Sequence, residues 1–196
     1  MSKVNRLSVR DIATIGIFSV LVQIIQVALG IVASPFILYS FVFFTGPIAL
    51  ICAPIYMLMA HKVGKPGVLL IFNIIRGLLF VVFGAPVLMI WFLIGGLLSE
   101  VIMYGKGSYN NFYRNTIGWI FSSIIYSLHL VFMYILFQPV FGSMIGEETL
   151  NVVSNYLSSP LWIIITLITV TLCALIGCIV SNRLMNKHFK RSGIIQ

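Results

Sequence analysis

The chain has 196 residues, of which 60% are hydrophobic and only 8% charged, and its formal net charge is +8. A soluble domain carries charge at roughly a quarter of its positions, so this composition excludes one and puts the chain in a lipid bilayer. The positive charge would suit nucleic acid in a soluble protein, but here its distribution fits an anionic membrane surface instead, and no nucleic acid partner is expected.

A spanning helix takes about 20 apolar residues. Six stretches qualify, roughly 11–33, 36–60, 67–84, 86–105, 115–138 and 160–185, and together they form one all-α transmembrane domain over residues 1–196. Ser8 is a plausible N-cap and Asp11 falls in the first turn, which predicts a helix starting near Val9. Its apolar run is longer than a signal peptide's, so it is read as a retained helix. Ala13, Gly16 and Ser19 place small residues on its first half, the composition that lets another transmembrane helix approach closely. The second stretch contains Pro47 and Pro54, which remove backbone donors and predict a bend.

A loop, His61 to Pro66, leads to the third stretch, and Gly84-Ala85-Pro86 predicts a tight hairpin into the fourth. After the polar segment from Gly105 to Asn115, the fifth stretch runs to Gln138. The connection 139–159 follows, where Glu147 and Glu148 precede Leu150, Val153 and Leu157. That spacing predicts a short amphipathic helix with acids in its first turn. Cys52, Cys173 and Cys178 all fall in apolar stretches and are read as small core residues rather than a disulfide framework.

Eleven of the twelve basic residues sit in the N-terminus, two alternate loops and the C-terminus: Lys3, Arg6, Arg10, Lys62, Lys65, Lys106, Arg114, Arg183, Lys187, Lys190 and Arg191. Basic residues flanking spans stay in the cytoplasm. Both termini are therefore expected inside and segment 139–159 outside.

The exception is Arg76, about ten residues into the third stretch and so roughly 15 Å along it. A guanidinium at that depth costs several kcal/mol unless paired or hydrated. Two readings stand: a structural pairing with Glu100 of the neighbouring stretch or with backbone carbonyls, and a functional role in which Arg76 meets an anionic substrate or transmits occupancy to the cytoplasmic face. In the fifth stretch Tyr126, His129 and Met133 share a face, and Tyr39, Phe41, Phe43, Phe80, Phe83, Met89, Trp91 and Trp162 gather toward the same end of the bundle. Singly, Tyr39 and Trp162 suit an interfacial aromatic belt. Together, Tyr39, Phe83, Met89, Trp91, Tyr126, His129, Met133 and Trp162 suit the wall of a ligand pocket. No phosphate-binding glycine loop, metalloprotease motif or metal-ligand cluster is present, and neither enzymatic activity nor a resident cofactor is expected.

Leu7-Ser8-Val9-Arg10-Asp11-Ile12-Ala13-Thr14-Ile15-Gly16-Ile17-Phe18, Gly46-Pro47 with Pro54-Ile55-Tyr56-Met57-Leu58, Lys62-Val63-Gly64-Lys65-Pro66-Gly67 and Gly95-Gly96-Leu97-Leu98-Ser99-Glu100 resemble the Trep-Strep family across nearly the whole chain. That family is grouped with the substrate-binding S components of energy-coupling factor (ECF) transporters. The resemblance implies a subunit that captures a micronutrient outside the cell: a vitamin or precursor, or haem or another tetrapyrrole as substrate, the latter served by His129 and Met133. It would dock on a transmembrane coupling subunit driven by two cytoplasmic ATPases, then topple to release its cargo inside. S components commonly dock through Ala-x-x-x-Ala on the first helix; here Ile17 follows Ala13, with Gly16 and Ser19 as substitutes. The alternative from another class is a small stand-alone channel or multidrug exporter.

Overall fold

A computed structural model of the chain describes residues 6–36, 39–105 and 107–189. Lys3, Lys106, Lys190 and Arg191 of the basic set lie outside the described residues, as does the side chain of Phe41.

The architecture is all helical among the described residues. Helix α1 (Val9–Ala33) opens with a capping box: Ser8 Oγ accepts from the Asp11 amide at 3.3 Å, and Asp11 Oδ2 accepts from the Ser8 amide at 2.7 Å. This satisfies two amides that a helix start leaves without partners. A π turn (Tyr39–Phe43) precedes α2 (Thr45–Val63). The stretch expected as one helix over 36–60 is therefore divided. Pro47 lies in the first turn of α2, where no donor is needed, so only Pro54 is internal.

Helices α3 (Val68–Val82) and α4 (Val87–Ile102) pair as a hairpin through the turn at Gly84, whose φ of 85° is one that glycine adopts freely. Helix α5 (Phe112–Ser127) starts three residues earlier than the sequence suggested, because the Asn111 side chain caps it by accepting from the Arg114 amide at 3.2 Å. A single turn residue, Leu128, interrupts it within one apolar span, Phe112–Leu136. The chain continues after Leu128 as α6 (His129–Leu136), followed by α7 (Gln138–Ile145), the amphipathic α8 (Glu147–Leu157) and the long α9 (Pro160–Leu184). Among the described residues, four segments are long and apolar enough to cross a membrane: Val9–Ala33, Thr45–Val63, Phe112–Leu136 and Pro160–Lys187. At 15 and 16 residues, α3 and α4 reach only about 22–24 Å at 1.5 Å per residue.

Helices α2 and α9 approach closely through small residues. Pro54 has no amide to donate to the Leu50 carbonyl, and Gly177 of α9 lies against that carbonyl: a Cβ at Gly177 would stand 2.6 Å from the Leu50 oxygen. Ala49, Ala53, Ala174, Cys52 and Cys178 are buried in the same core, so Cys52 and Cys178 act as the small core residues expected of them, while Cys173 is half-buried. The outward sides of α1 and α9 show Ile17, Ile24, Ile31, Leu161, Ile168 and Leu172 to the surroundings, as lipid contact requires.

One end of the bundle, the basic end, carries the start of α1, Gly64–Gly67, the α4–α5 connection and the end of α9. It is tied together by polar contacts across helices. Lys65 Nζ lies 2.5 Å from Asp11 Oδ2. Glu100 accepts from the Gly67 amide at 2.6 Å, the Leu70 amide at 3.4 Å and the Tyr109 hydroxyl at 2.6 Å, and that hydroxyl lies 3.2 Å from the Leu69 amide as its acceptor. Glu100 thus caps α3 from the end of α4. The opposite end holds the Gly84 turn, α7 and α8, with Glu147 and Glu148 exposed and no Lys or Arg.

Candidate functional site

In a bundle whose core is mostly aliphatic and aromatic, buried polar side chains gather around Arg76. They come from three helices at helical spacing, so each set faces inward together. Helix α1 supplies Gln23 and Gln26, α3 supplies Asn73 and Arg76, and α5 supplies Ser122, Ser123 and Tyr126; all are buried. Thr45, the first residue of α2, joins them.

Arg76 is the centre of this cluster and is 3% exposed. Its Nη2 donates to Gln26 Oε1 at 2.7 Å, and the Gln26 amide in turn donates to the Tyr126 hydroxyl. The guanidinium carbon lies 5.4 Å from the Phe72 ring centroid, 5.3 Å from that of Phe92 and 4.4 Å from that of Tyr126. Contacts of this kind contribute up to about 2 kcal/mol each when desolvated, which offsets part of the cost of burial. None of them supplies a negative charge. Among the described residues, the Arg76 Nε has no hydrogen-bond partner, and neither do the buried Ser123 hydroxyl and the Gln23 amide oxygen.

The expected pairing of Arg76 with Glu100 or with backbone carbonyls is therefore corrected. Glu100 is held at the basic end by Gly67, Leu70 and Tyr109, and Arg76 is bonded to a neutral amide on α1. The chain has four acidic residues in all. Asp11 is paired with Lys65, Glu100 is engaged as described, and Glu147 and Glu148 are exposed at the opposite end. Arg76 has no carboxylate partner among them.

Arg76 borders a small cavity of about 10 Å³, room for about one water, lined also by Thr45, Ile48, Ala49, Trp119, Ser122, Ser123 and Tyr126. Trp119 is held by its Nε1, which donates to the Ala49 carbonyl at 2.8 Å, and by stacking on Tyr56 at a centroid distance of 4.7 Å. The cavity wall is thus apolar and aromatic on one side and polar on the other.

The aromatic wall expected from the sequence separates into distinct groups. Tyr126, His129 and Met133 are buried together, with the His129 ring stacked on Tyr126 at 4.8 Å and its Nδ1 2.5 Å from the Tyr126 carbonyl. Of these, Tyr126 alone reaches the cavity. Trp91 packs on Phe132 at 4.5 Å and donates to the Ile125 carbonyl, and Met89 lies against Gly77. Trp162 meets Tyr156 and Phe43, while Phe83 and Tyr39 are exposed. These residues do not form one pocket.

The proposed docking face also divides: Ala13 is exposed, Gly16 faces Ile75 of α3, and Ser19 is fully buried, its hydroxyl donating to the Ile15 carbonyl at 2.8 Å. Gln26, Thr45, Trp119, Ser122 and Ser123 were not singled out from sequence. The signal was present in part, since Gln23 and Gln26, like Asn73 and Arg76, are polar pairs three residues apart inside apolar stretches, where polar groups face the bundle interior.

Lipid-facing helices of spanning length around a small polar core define an integral membrane protein. The chain belongs to the Trep_Strep family, described as a hypothetical bacterial integral membrane protein, whose family model matches residues 9–191. No curated protein and no solved structure matches the chain.

Proposed function

We propose that this protein is the substrate-binding S component of an ECF-type importer, taking a micronutrient from the outer side and releasing it inside. The observation that carries this reading is the polar core at Arg76. An unneutralised guanidinium inside a transmembrane bundle is costly to maintain, and a ligand that completes its interactions gives it a use. The resemblance to S components supplies the transport context. The partners are then a transmembrane coupling subunit and two cytoplasmic ATPases, and no enzymatic step belongs to this chain.

In this reading α3 and α4 add two short crossings to the four long ones, giving six with both termini in the cytoplasm. The basic end is the inner one by the positive-inside rule. The end bearing α7 and α8 is then extracellular. Gln26 lies about seven residues from the end of α1, roughly 10 Å below that side, so the polar core sits in the outward half. A vitamin or vitamin precursor is the favoured cargo. A haem bound through His129 would first have to pull that ring out of its stack with Tyr126.

Expression of the full chain with its neighbouring genes, followed by affinity purification, tests the reading. The coupling subunit and ATPases are expected to copurify, with the isolated subunit retaining its cargo. A stable stand-alone oligomer that recruits no ATPase would reject it.

A further inference from the structure

The Arg76 guanidinium is held on one side only. Its Nη2 donates to Gln26 Oε1 at 2.7 Å, but among the described residues its buried Nε meets no acceptor, and the buried Ser123 hydroxyl meets neither donor nor acceptor. Arg76 and Ser123 line the same space of about 10 Å³, room for about one water. Burying a donor of a charged group without an acceptor is costly, whereas ordering one water costs little by comparison.

We propose that this space is the site of one resident water, which accepts from Arg76 Nε, bonds to the Ser123 hydroxyl and so ties α3 to α5 across the polar core. Three observations select water. The first is size: chloride, the common monatomic anion, is larger than water, and the wall on the Trp119 side is pinned by the bond to the Ala49 carbonyl and the stack on Tyr56. The second is bonding capacity. A buried water makes about three hydrogen bonds, and besides Arg76 the lining offers the hydroxyls of Thr45, Ser122 and Ser123, each able both to donate and to accept. The third is placement: these groups stand on α2, α3 and α5, whereas the Gln26 bond joins Arg76 to α1.

Ser123 then acts on Arg76 through the water and is a positioning residue. With Gln26 on Nη2 and the water on Nε, the planar guanidinium is fixed at two of its nitrogens, which keeps its carbon over the Tyr126 ring, 4.4 Å from the centroid. The Tyr126 hydroxyl is itself an acceptor of the Gln26 amide, so the water closes a polar network that runs from α1 through α3 to α5. Water brings no charge. The guanidinium therefore stays unneutralised, and the site stands whether or not the chain belongs to an importer.

The test is nuclear magnetic resonance on the full-length protein in nanodiscs, with isotope-labelled arginine and with the Arg76 Nε proton assigned by its proximity to the Tyr126 ring protons. That proton is expected to show direct cross-relaxation, distinct from chemical exchange, to a water that stays longer than nanoseconds. Ser123→Ala removes one partner of the water and should lose most of this peak. Absence of the water peak from the folded wild-type protein overturns the proposal, and this measurement needs no variant. A peak of full strength in folded Ser123→Ala overturns the bridge to Ser123. Chloride is then titrated against gluconate at constant ionic strength. The Arg76 Nε resonance is expected to stay where it is; a resonance that moves with chloride while the water peak disappears would assign the space to a halide and overturn the proposal.

Discussion

Replacing Gly177 by Ala tests the α2–α9 contact on which the core depends. The added methyl would stand 2.6 Å from the Leu50 carbonyl oxygen, 2.8 Å from Ala53 Cβ and 3.0 Å from Leu50 Cα. Ordinary contact begins near 3.4 Å, so the helices must separate by roughly 0.8 Å along the contact, taking 3.4 minus 2.6. The nearest obstacle is backbone, which has no rotamer to change. Overpacking of this kind typically costs about 1–3 kcal/mol, or several degrees of melting temperature for a chain of this length. Thermal unfolding in detergent, followed by size-exclusion chromatography, measures it. Gly16→Ala is the internal control, because its Cβ would meet only Ile75 at 3.9 Å. Ala53→Gly in the Gly177→Ala background should restore only part of the loss, since the Leu50 carbonyl remains. An unchanged melting temperature for Gly177→Ala, or complete rescue by Ala53→Gly, would refute the argument that the backbone carbonyl sets this distance.

Glu100→Ala removes the acceptor of the Gly67 and Leu70 amides and the Tyr109 hydroxyl, and should cost about 2–4 kcal/mol in the same assay, hydrogen bonds to a charged group being worth about 1.5–3 kcal/mol each before partial replacement by water. Glu100→Gln, which keeps a carbonyl acceptor, should cost less; equal losses would argue against the cap. Lys65→Ala should cost under about 1 kcal/mol, as a partly solvated ion pair does. Asp11→Ala should cost about 1 kcal/mol more because it also breaks the capping box with Ser8, an order that equal or reversed losses would contradict. A cysteine at the exposed position Ser143 should react with an impermeant maleimide added to intact cells. Labelling only after permeabilisation would place α7 on the inner side and reject the proposed topology.

Residence in the membrane, the start of α1 at Val9, the α3–α4 turn and the amphipathic α8 were all legible in the sequence. Each depends on properties local to the chain: the length of an apolar run, a Ser and an Asp three residues apart, a Gly-Ala-Pro turn, acids ahead of a 3.6-residue apolar pattern. The division of the second stretch at Thr45 and of the fifth at Leu128 was not legible, because apolar residues continue through both breaks and hydropathy does not change there. Arg76 was recognisable as anomalous from its depth alone, yet its partner was not. The nearest acid by topology, Glu100, is drawn to the unpaired amides at the start of α3 and to Tyr109, while the rotation of α1 brings Gln26 to the guanidinium. Likewise, aromatic residues at one end of the sequence-derived bundle scatter into separate contacts once each helix has its own rotation and tilt. Composition along the chain fixes what enters the bilayer and roughly where; which polar side chains meet inside depends on helix packing between residues as far apart as Gln26 and Tyr126, and only the tertiary structure decides that.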